Sequence, residues 1–379
     1  MRRSRRSGLI RCAAFCVLAF SSCAGGDGGR DEAGGVRVPA DSVGYALRPS
    51  QVEAVVAAAD SLEKAGWKGP GEAEAPRGSM AAVIVPHDDY IYAGHLYAGA
   101  LRRIRTPLVV MLGVAHRARR IGLQGRLVFD DFESWKGPYG EMPVSGLRGE
   151  LVRSLPEDIV LVDGALHAGE HSLEGMIPFL QYPGFDGDPP VEILPILVTR
   201  MPGESFARAA DTLASLLGGL TGRRGMVLGK DWSMLISADC VHYGDSLWGG
   251  RDYAPFGTGR EGYEEAVGQD LDIARSAICG TLDRSRIRLF RERVERDDLE
   301  WPYKVTWCGV YSIPFGMAVL ERLASAEDRR AEGFLLGYGT SLDPGRLPLE
   351  GTGLDATNIA ALRHWVGYLS AGFRLEPAP

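Results

Sequence analysis

The stretch AAVIVPHDDYIYAG, Ala81 to Gly94, decides how the chain is read. Its apolar run shows no alternation of polar and apolar residues, and Pro86 bounds it, which is the pattern of a strand buried on both faces. Such a strand sits inside a sheet that helices cover on both sides. At its end stand His87, Asp88 and Asp89. Open α/β sheets keep their ligands beyond the carboxyl ends of strands, so the reading turns on whether other strands deliver partners to His87.

Working outward, strand-like runs recur in TPLVVMLGVA, DIVLVDG, VEILPILVT and MLISA, and late in the chain in FLLGYGTS and HWVGYLSAGF. Helical spacing separates them: SQVEAVVAAADSLEKAGW with Ser50 as N-cap, GHLYAGALRRI, HSLEGMIPFLQY, ESFARAADTLASLLGGL, GREGYEEAVGQDLDIARSAIC and IPFGMAVLERLAS. No repeat at a fixed period interrupts the order. The pattern predicts an α/β fold, a single domain over residues 40–379 with a central, largely parallel or mixed sheet flanked by helices.

Three of the strand-like runs end in similar chemistry. The first gives His87, TPLVVMLGVA gives His116, and SMLISA gives Asp239 with His242 three residues on. Parallel neighbours would bring these ends to one edge. Cys308, in WCGVYSIPFG, precedes a glycine and a helix start, where backbone N–H groups favour a thiolate. Two imidazoles, a thiolate and a carboxylate suit a divalent transition metal. Each histidine also has a purely structural reading, as does each aspartate of the Asp88–Asp89 pair, which can cap its own loop. His95, His364, Cys240 and Cys279 read as structural. A competing local motif, HAGEH from His167 to His171, matches the H-x-x-E-H pattern of zinc peptidases, but Gly164 and Gly169 weaken a helix there and Ser172 looks like an N-cap.

The N-terminus reads as a targeting segment. MRRSRRSGLIR is a basic leader, CAAFCVLAF a short apolar run, and FSSC a small-residue cleavage site ending in Cys23, together the pattern of a bacterial lipoprotein signal. The expectation is removal of residues 1–22, a lipid on Cys23 that holds the protein to the membrane, and a flexible tether over residues 23–39. Location would then be the cell envelope, on the outer side of the cytoplasmic membrane or in the periplasm. Arg5–Arg6 after Ser4 also matches part of a twin-arginine signal, with Gly8 where Phe is expected, so the export route stays open. Losing five arginines from 42 basic residues leaves 37 against 49 acids, about −12, an acidic body that anionic lipid repels. Only five basic residues are lysine and no arginine stripe stands outside the leader, so nucleic acid is not an expected partner. Once Cys12, Cys16 and Cys23 are set aside, three cysteines remain, so at least one thiol is unpaired.

Six segments, in order between about residues 80 and 320, resemble the Memo family, also called AmmeMemoRadiSam system protein B. PHDDYIYAG is similar to PHAGYIYSG, LGVAH to LGPSH, GEHSLEGMIPFLQ to EHSIE-x-x-LP-[FY], EILPILV to IVPVLVG, SADCVHYG to SSDFCHWG, and WCG to ICG. The resemblance implies a fold similar to the catalytic subunit of class III extradiol dioxygenases, and a non-haem metal site with His87, His116 and Cys308 as ligands and the catalytic groups Asp239 and His242 beside them. It implies iron, with zinc or copper as alternatives, and a functional link to AMMECR1-like and radical SAM proteins; human Memo is described as binding phosphopeptides. This chain departs from the pattern at Asp88–Asp89, where the family has Ala-Gly, at Arg117, where it has a second His, and in GVYSIPFG after Cys308. Three functions follow as expectations: an iron-dependent oxidoreductase, dioxygenase-like, acting on a small-molecule or peptide substrate; a zinc hydrolase at the same residues; or a non-catalytic envelope scaffold that binds metal or peptide.

Overall fold

A computed structural model describes residues 35–67, 78–201, 203–244, 252–298 and 302–378. The expected signal, Cys23 and the first part of the expected tether lie outside them. In chain order the elements are β1 (Val36–Arg37), α1 (Pro49–Lys64), β2 (Ala82–Val85), α2 (Tyr90–Leu101), β3 (Leu108–Val114), β4 (Leu127–Phe129), β5 (Ser134–Gly137), β6 (Gly140–Pro143), α3 (Leu147–Ser154), β7 (Val160–Val162), α4 (Gly164–Ala168), α5 (Ile177–Leu180), β8 (Glu192–Val198), α6 (Glu204–Arg223), β9 (Trp232–Ser237), β10 (His242–Gly244), α7 (Arg260–Ile273), β11 (Gly280–Thr281), α8 (Arg284–Val294), α9 (Ser312–Ala326), β12 (Arg329–Thr340) and β13 (His364–Pro377).

The main sheet runs β11-β12-β13-β2-β9-β3-β8-β4-β7, with β10 paired to β13 beside this path. Its centre, β2-β9-β3-β8, is parallel. The flanks turn antiparallel where β13 meets β2 and where β4 meets β8. The predicted mixed sheet with helices on both faces is the observed fold, and it forms a single domain.

Strand geometry explains the unbroken apolar runs. Successive side chains point to opposite faces, and both faces of β2 are covered: Ala82 and Ile84 join the core against α6 and α9, while Val83 and Val85 join the core against α1 and α2. β3 divides in the same way, with Leu108, Val110 and Leu112 on one side and Val109 and Met111 on the other. The long α6 matches this with a stripe of buried Ala209, Ala210, Leu213, Ala214, Leu217 and Leu220 at helical spacing.

Two local expectations change. α1 starts at Pro49 rather than after Ser50, because proline gives up no hydrogen bond at the first helical position. The Gln51 carboxamide closes that end by accepting from the N–H groups of Leu47 and Arg48 at 2.8 and 3.0 Å. Residues 35–39, expected to be tether, are instead held to the fold. β1 pairs with β5, and Arg37, 2% exposed, donates to the carbonyls of His167 (3.1 Å) and Glu170 (2.6 Å) and to the Glu174 carboxylate (2.7 Å), with its guanidinium 4.2 Å over the Trp135 ring. Glu174 also accepts from the N–H groups of Ala40 and Asp41, so residues 35–41 belong to the fold.

Candidate metal centre

The parallel centre of the sheet brings three strand ends together. Val85 pairs with Ser237, and Ile236 pairs with both Ile84 and Leu112. His87, Asp239 and His116 each follow the last residue of their strand by two positions, so they meet at one edge. The loop after β9 is stitched to the chain around Cys308. His242 N–H donates to the Thr306 carbonyl (3.0 Å), and the Thr306 hydroxyl donates to the His242 carbonyl (2.6 Å). Cys308 Sγ then lies 2.8 Å from His242 Nε2. Gly309 is required here: a Cβ on it would stand 2.4 Å from the Ala238 Cβ.

Hydrogen bonding sets the imidazole tautomers. The Ser237 hydroxyl gives its proton to the Ser172 carbonyl, so its oxygen can only accept from His87 Nδ1, 2.8 Å away. His87 Nε2 therefore carries a lone pair. That atom is buried without a hydrogen-bond partner among the described residues, and Asp239 Oδ2 lies 3.3 Å from it. A lone pair facing a carboxylate oxygen needs a proton or a cation between them. His116 Nδ1 lies 2.8 Å from Glu170 Oε1 and must donate to it, which frees its Nε2 as well. This is the carboxylate–histidine arrangement that orients metal ligands.

Electrostatics agree. Burial above all, with crowding by His116, His171 and His242, pushes the His87 pKa well below its ordinary value. Burial, with His116, His364 and His171, brings His242 down to about 3. Burial and the nearby Asp88 push Asp239 well up, and burial with Asp239, Asp88 and Glu170 pushes the Cys308 thiol well up. The thiolate expected from the helix start is thus disfavoured until a cation offsets these negative neighbours. Burial alone would raise Glu170, but His116, His171 and the Ser172 N–H outweigh it and hold the carboxyl at about 2. The site gathers lone-pair donors around Glu170, whose carboxyl is held low, and it becomes favourable when a cation enters.

Two groups of potential ligands arise among the described residues: His87, His116 and His171, and His87, Asp239 and Cys308, the donor atoms of each lying within 4.8 Å of one another. The predicted His87, His116 and Cys308 are all present, but His116 falls in one group, Cys308 in the other, and His87 in both. His242 stands beside Cys308, with Nε2 3.9 Å from Asp239 Oδ2. His171 and Glu170 lie in HAGEH, the competing motif in which glycines weaken a helix, and the sequence leaves open whether His171 contributes to the site. Helix α4 ends at Ala168, and His167 turns away, buried, with Nε2 2.9 Å from the Val128 carbonyl. Ser172 is not an N-cap: its hydroxyl donates to the Val114 carbonyl at the end of β3 (2.8 Å). Asp88 accepts from the Tyr368 hydroxyl (2.7 Å), and Asp89 accepts from Thr357 N–H (2.6 Å); burial and Asp88 raise Asp89 to about 8. Cys240 is fully buried, as expected of a small hydrophobe.

Fold and site together define an α/β protein with a candidate metal centre at its strand ends. The family described as Memo-like protein matches residues 54–345, and the chain belongs to that family. It is similar to a MEMO1 family protein of Pyrococcus horikoshii, 27% identical over 290 residues, which is 74% of this chain and 87% of the relative. A MEMO1 family protein of Aquifex aeolicus is 32% identical over 267 residues, 69% of this chain and 79% of the relative. One from Thermococcus kodakarensis is 28% identical over 275 residues, covering 70% and 82%.

Proposed function

We propose that this chain is a metal-binding member of the Memo-like family that acts as a non-haem iron redox protein, dioxygenase-like, on a small-molecule or peptide substrate at the bacterial cell envelope. The observation that carries the metal reading is His87 Nε2, without a hydrogen-bond partner among the described residues and aimed at Asp239 Oδ2 across 3.3 Å. In this reading His87, His116 and Cys308 hold the ion. The bound ion would supply Lewis acidity, one-electron chemistry and open positions for dioxygen or a substrate oxygen. Asp239 and His242 hold and move protons at Oδ2 and Nε2, within reach of whatever approaches. Water and substrate enter from the side of His116 and His171, whose side chains are 31% and 41% exposed, while His87 and Asp239 close the floor at 1% and 3%. Imidazole, carboxylate and thiol donors serve zinc as well as iron, and iron is the choice that the family resemblance implies. The envelope location rests on the leader and Cys23 alone. No helix among the described residues is long and apolar enough to cross a membrane.

The test is elemental analysis of the purified chain produced with and without added iron, followed by anaerobic iron loading and exposure to dioxygen. A dioxygen-dependent spectral change that disappears in His87→Ala supports the proposal. Stoichiometric zinc with no response to dioxygen redirects it to hydrolysis. Absence of any bound metal leaves the scaffold function.

A further inference from the structure

We infer that His171 is a ligand of the same ion, which is held by three imidazoles, His87, His116 and His171, with Asp239 and Cys308 joining this group at His87. The inference rests on the metal reading above and extends it to a residue from a different segment of the chain.

The rings are arranged about a common point. His116 and His171 stack at 4.8 Å with planes 8° apart, and His87 stands edge-on to both at 5.1 and 5.6 Å. One carboxylate oxygen serves the outer two: Glu170 Oε1 is 2.8 Å from His116 Nδ1 and 3.6 Å from His171 Nδ1. The longer contact is too far for a hydrogen bond, but it turns the Nδ1 edge of His171 towards the negative charge and leaves Nε2 for a cation. The donor atoms of the three residues lie within 4.8 Å of one another. Lone pairs gathered that closely repel one another, and an ion between them turns the repulsion into attraction.

The backbone that carries His171 is also fixed in place. Its own N–H donates to Glu170 Oε1 at 3.0 Å, and the next residue, Ser172, bonds through its hydroxyl to Val114 and through its carbonyl to Ser237. Ser237 is the residue that sets the His87 tautomer, so one short segment fixes His171 and helps to orient His87. Beneath it, Gly113 has no room for a side chain: a Cβ there would stand 2.9 Å or closer to Leu173, Leu197 and Ser172. His87 has a single free lone pair, because its Nδ1 is committed to Ser237. Both donor groups therefore share one ion, and the site saturates at one ion per chain.

The experiment is a zinc titration of the purified chain against a chromophoric chelator, run in parallel on His171→Ala, His171→Gln and His87→Ala. Circular dichroism and metal-free melting establish that each variant is folded. Wild type should bind one zinc ion. His171→Ala should bind at least about 100-fold more weakly, beyond the 10–100-fold loss usual for a residue that only supports a ligand. Free imidazole should restore much of that loss, and X-ray absorption at the zinc edge should lose one imidazole contribution. If His171→Ala does not fold, His171→Gln, which keeps size and polarity, carries the same test. His171 variants with wild-type affinity and an unchanged imidazole count overturn this inference while leaving the metal reading intact. Wild-type chain that takes up no zinc overturns both.

Discussion

Replacing Ser237 by alanine removes one oxygen atom that two groups depend on. His87 Nδ1 loses the acceptor that holds its proton, and the Ser172 carbonyl loses its donor. All three residues are buried, so neither group can turn to water; a stranded buried donor or acceptor costs about 1–3 kcal/mol. His87 can escape only by moving its proton to Nε2, the atom needed for a cation. The variant should therefore fall short twice. Metal-free protein should lose about 1–3 kcal/mol of stability, measured by denaturant unfolding. Zinc affinity, measured by chelator competition, should drop about 10–100-fold, the range found when the partner of a metal-bound histidine is removed. Ser237→Thr keeps the hydroxyl and separates lost packing from lost hydrogen bonding. Unchanged zinc affinity in a destabilised Ser237→Ala variant would refute the tautomer argument, because the hydroxyl would then matter only to packing.

Further expectations follow from the same geometry. Glu170→Gln keeps the shape but offers His116 a weaker acceptor; zinc affinity should fall about 10–100-fold, and an unchanged value would dissociate Glu170 from the site. Burial first of all pushes the pKa values of Asp239 and Cys308 well above their ordinary ranges, and the Cys308 thiol must release its proton to coordinate. Zinc affinity should thus rise with pH by roughly tenfold per pH unit for each proton released, and calorimetric heats should vary with the ionisation enthalpy of the buffer. Asp270 is buried, accepts from Trp307 Nε1 (2.6 Å) and the Tyr338 hydroxyl (2.9 Å), and titrates at about 7 because burial outweighs these donors. The folded chain binds its proton more tightly than the unfolded chain does, so this contribution is fully present below about pH 4 and is lost as pH rises through 7, by roughly 2–3 kcal/mol between pH 5 and 8. Asp270→Asn should flatten that slope in denaturant unfolding. Gly309→Ala should cost about 1–3 kcal/mol through overpacking and, by moving Cys308, weaken zinc binding; a melting temperature equal to wild type would contradict the close approach to Ala238.

The central strands could be read directly because burial on both faces leaves them with no polar position, and β2, β3, β8 and β9 were all expected near where they stand. The short strands were harder to see. β4 has three residues and β1 has two, too few for any period to register, whereas the equally short β7 was legible because it lies within the apolar run DIVLVDG. Arg37 illustrates the same limit. Read locally, a charged residue among glycines belongs to a tether, yet its partners at His167, Glu170, Glu174 and Trp135 lie about a hundred or more positions away. Chain order holds no information about such contacts until the fold assembles them.

The site follows the same logic, with a sharper consequence. His87, His116 and Asp239 could be inferred because a repeated local rule, a strand end followed two positions later by a donor, applies to each. Cys308 could be inferred from its place before a helix. His171 obeys neither rule: it follows the five-residue α4 within a connection that spans β7 to β8. What brings it to the centre is Ser172, bonded both to the end of β3 and to the end of β9. The serine that looked like a helix cap instead joins two strand ends, and the two residues before it, Glu170 and His171, are carried into the gap between them. A site read only from strand ends therefore captures the donors that the sheet delivers and misses those that cross its edge. In this protein the latter include the carboxylate that sets the tautomer of His116.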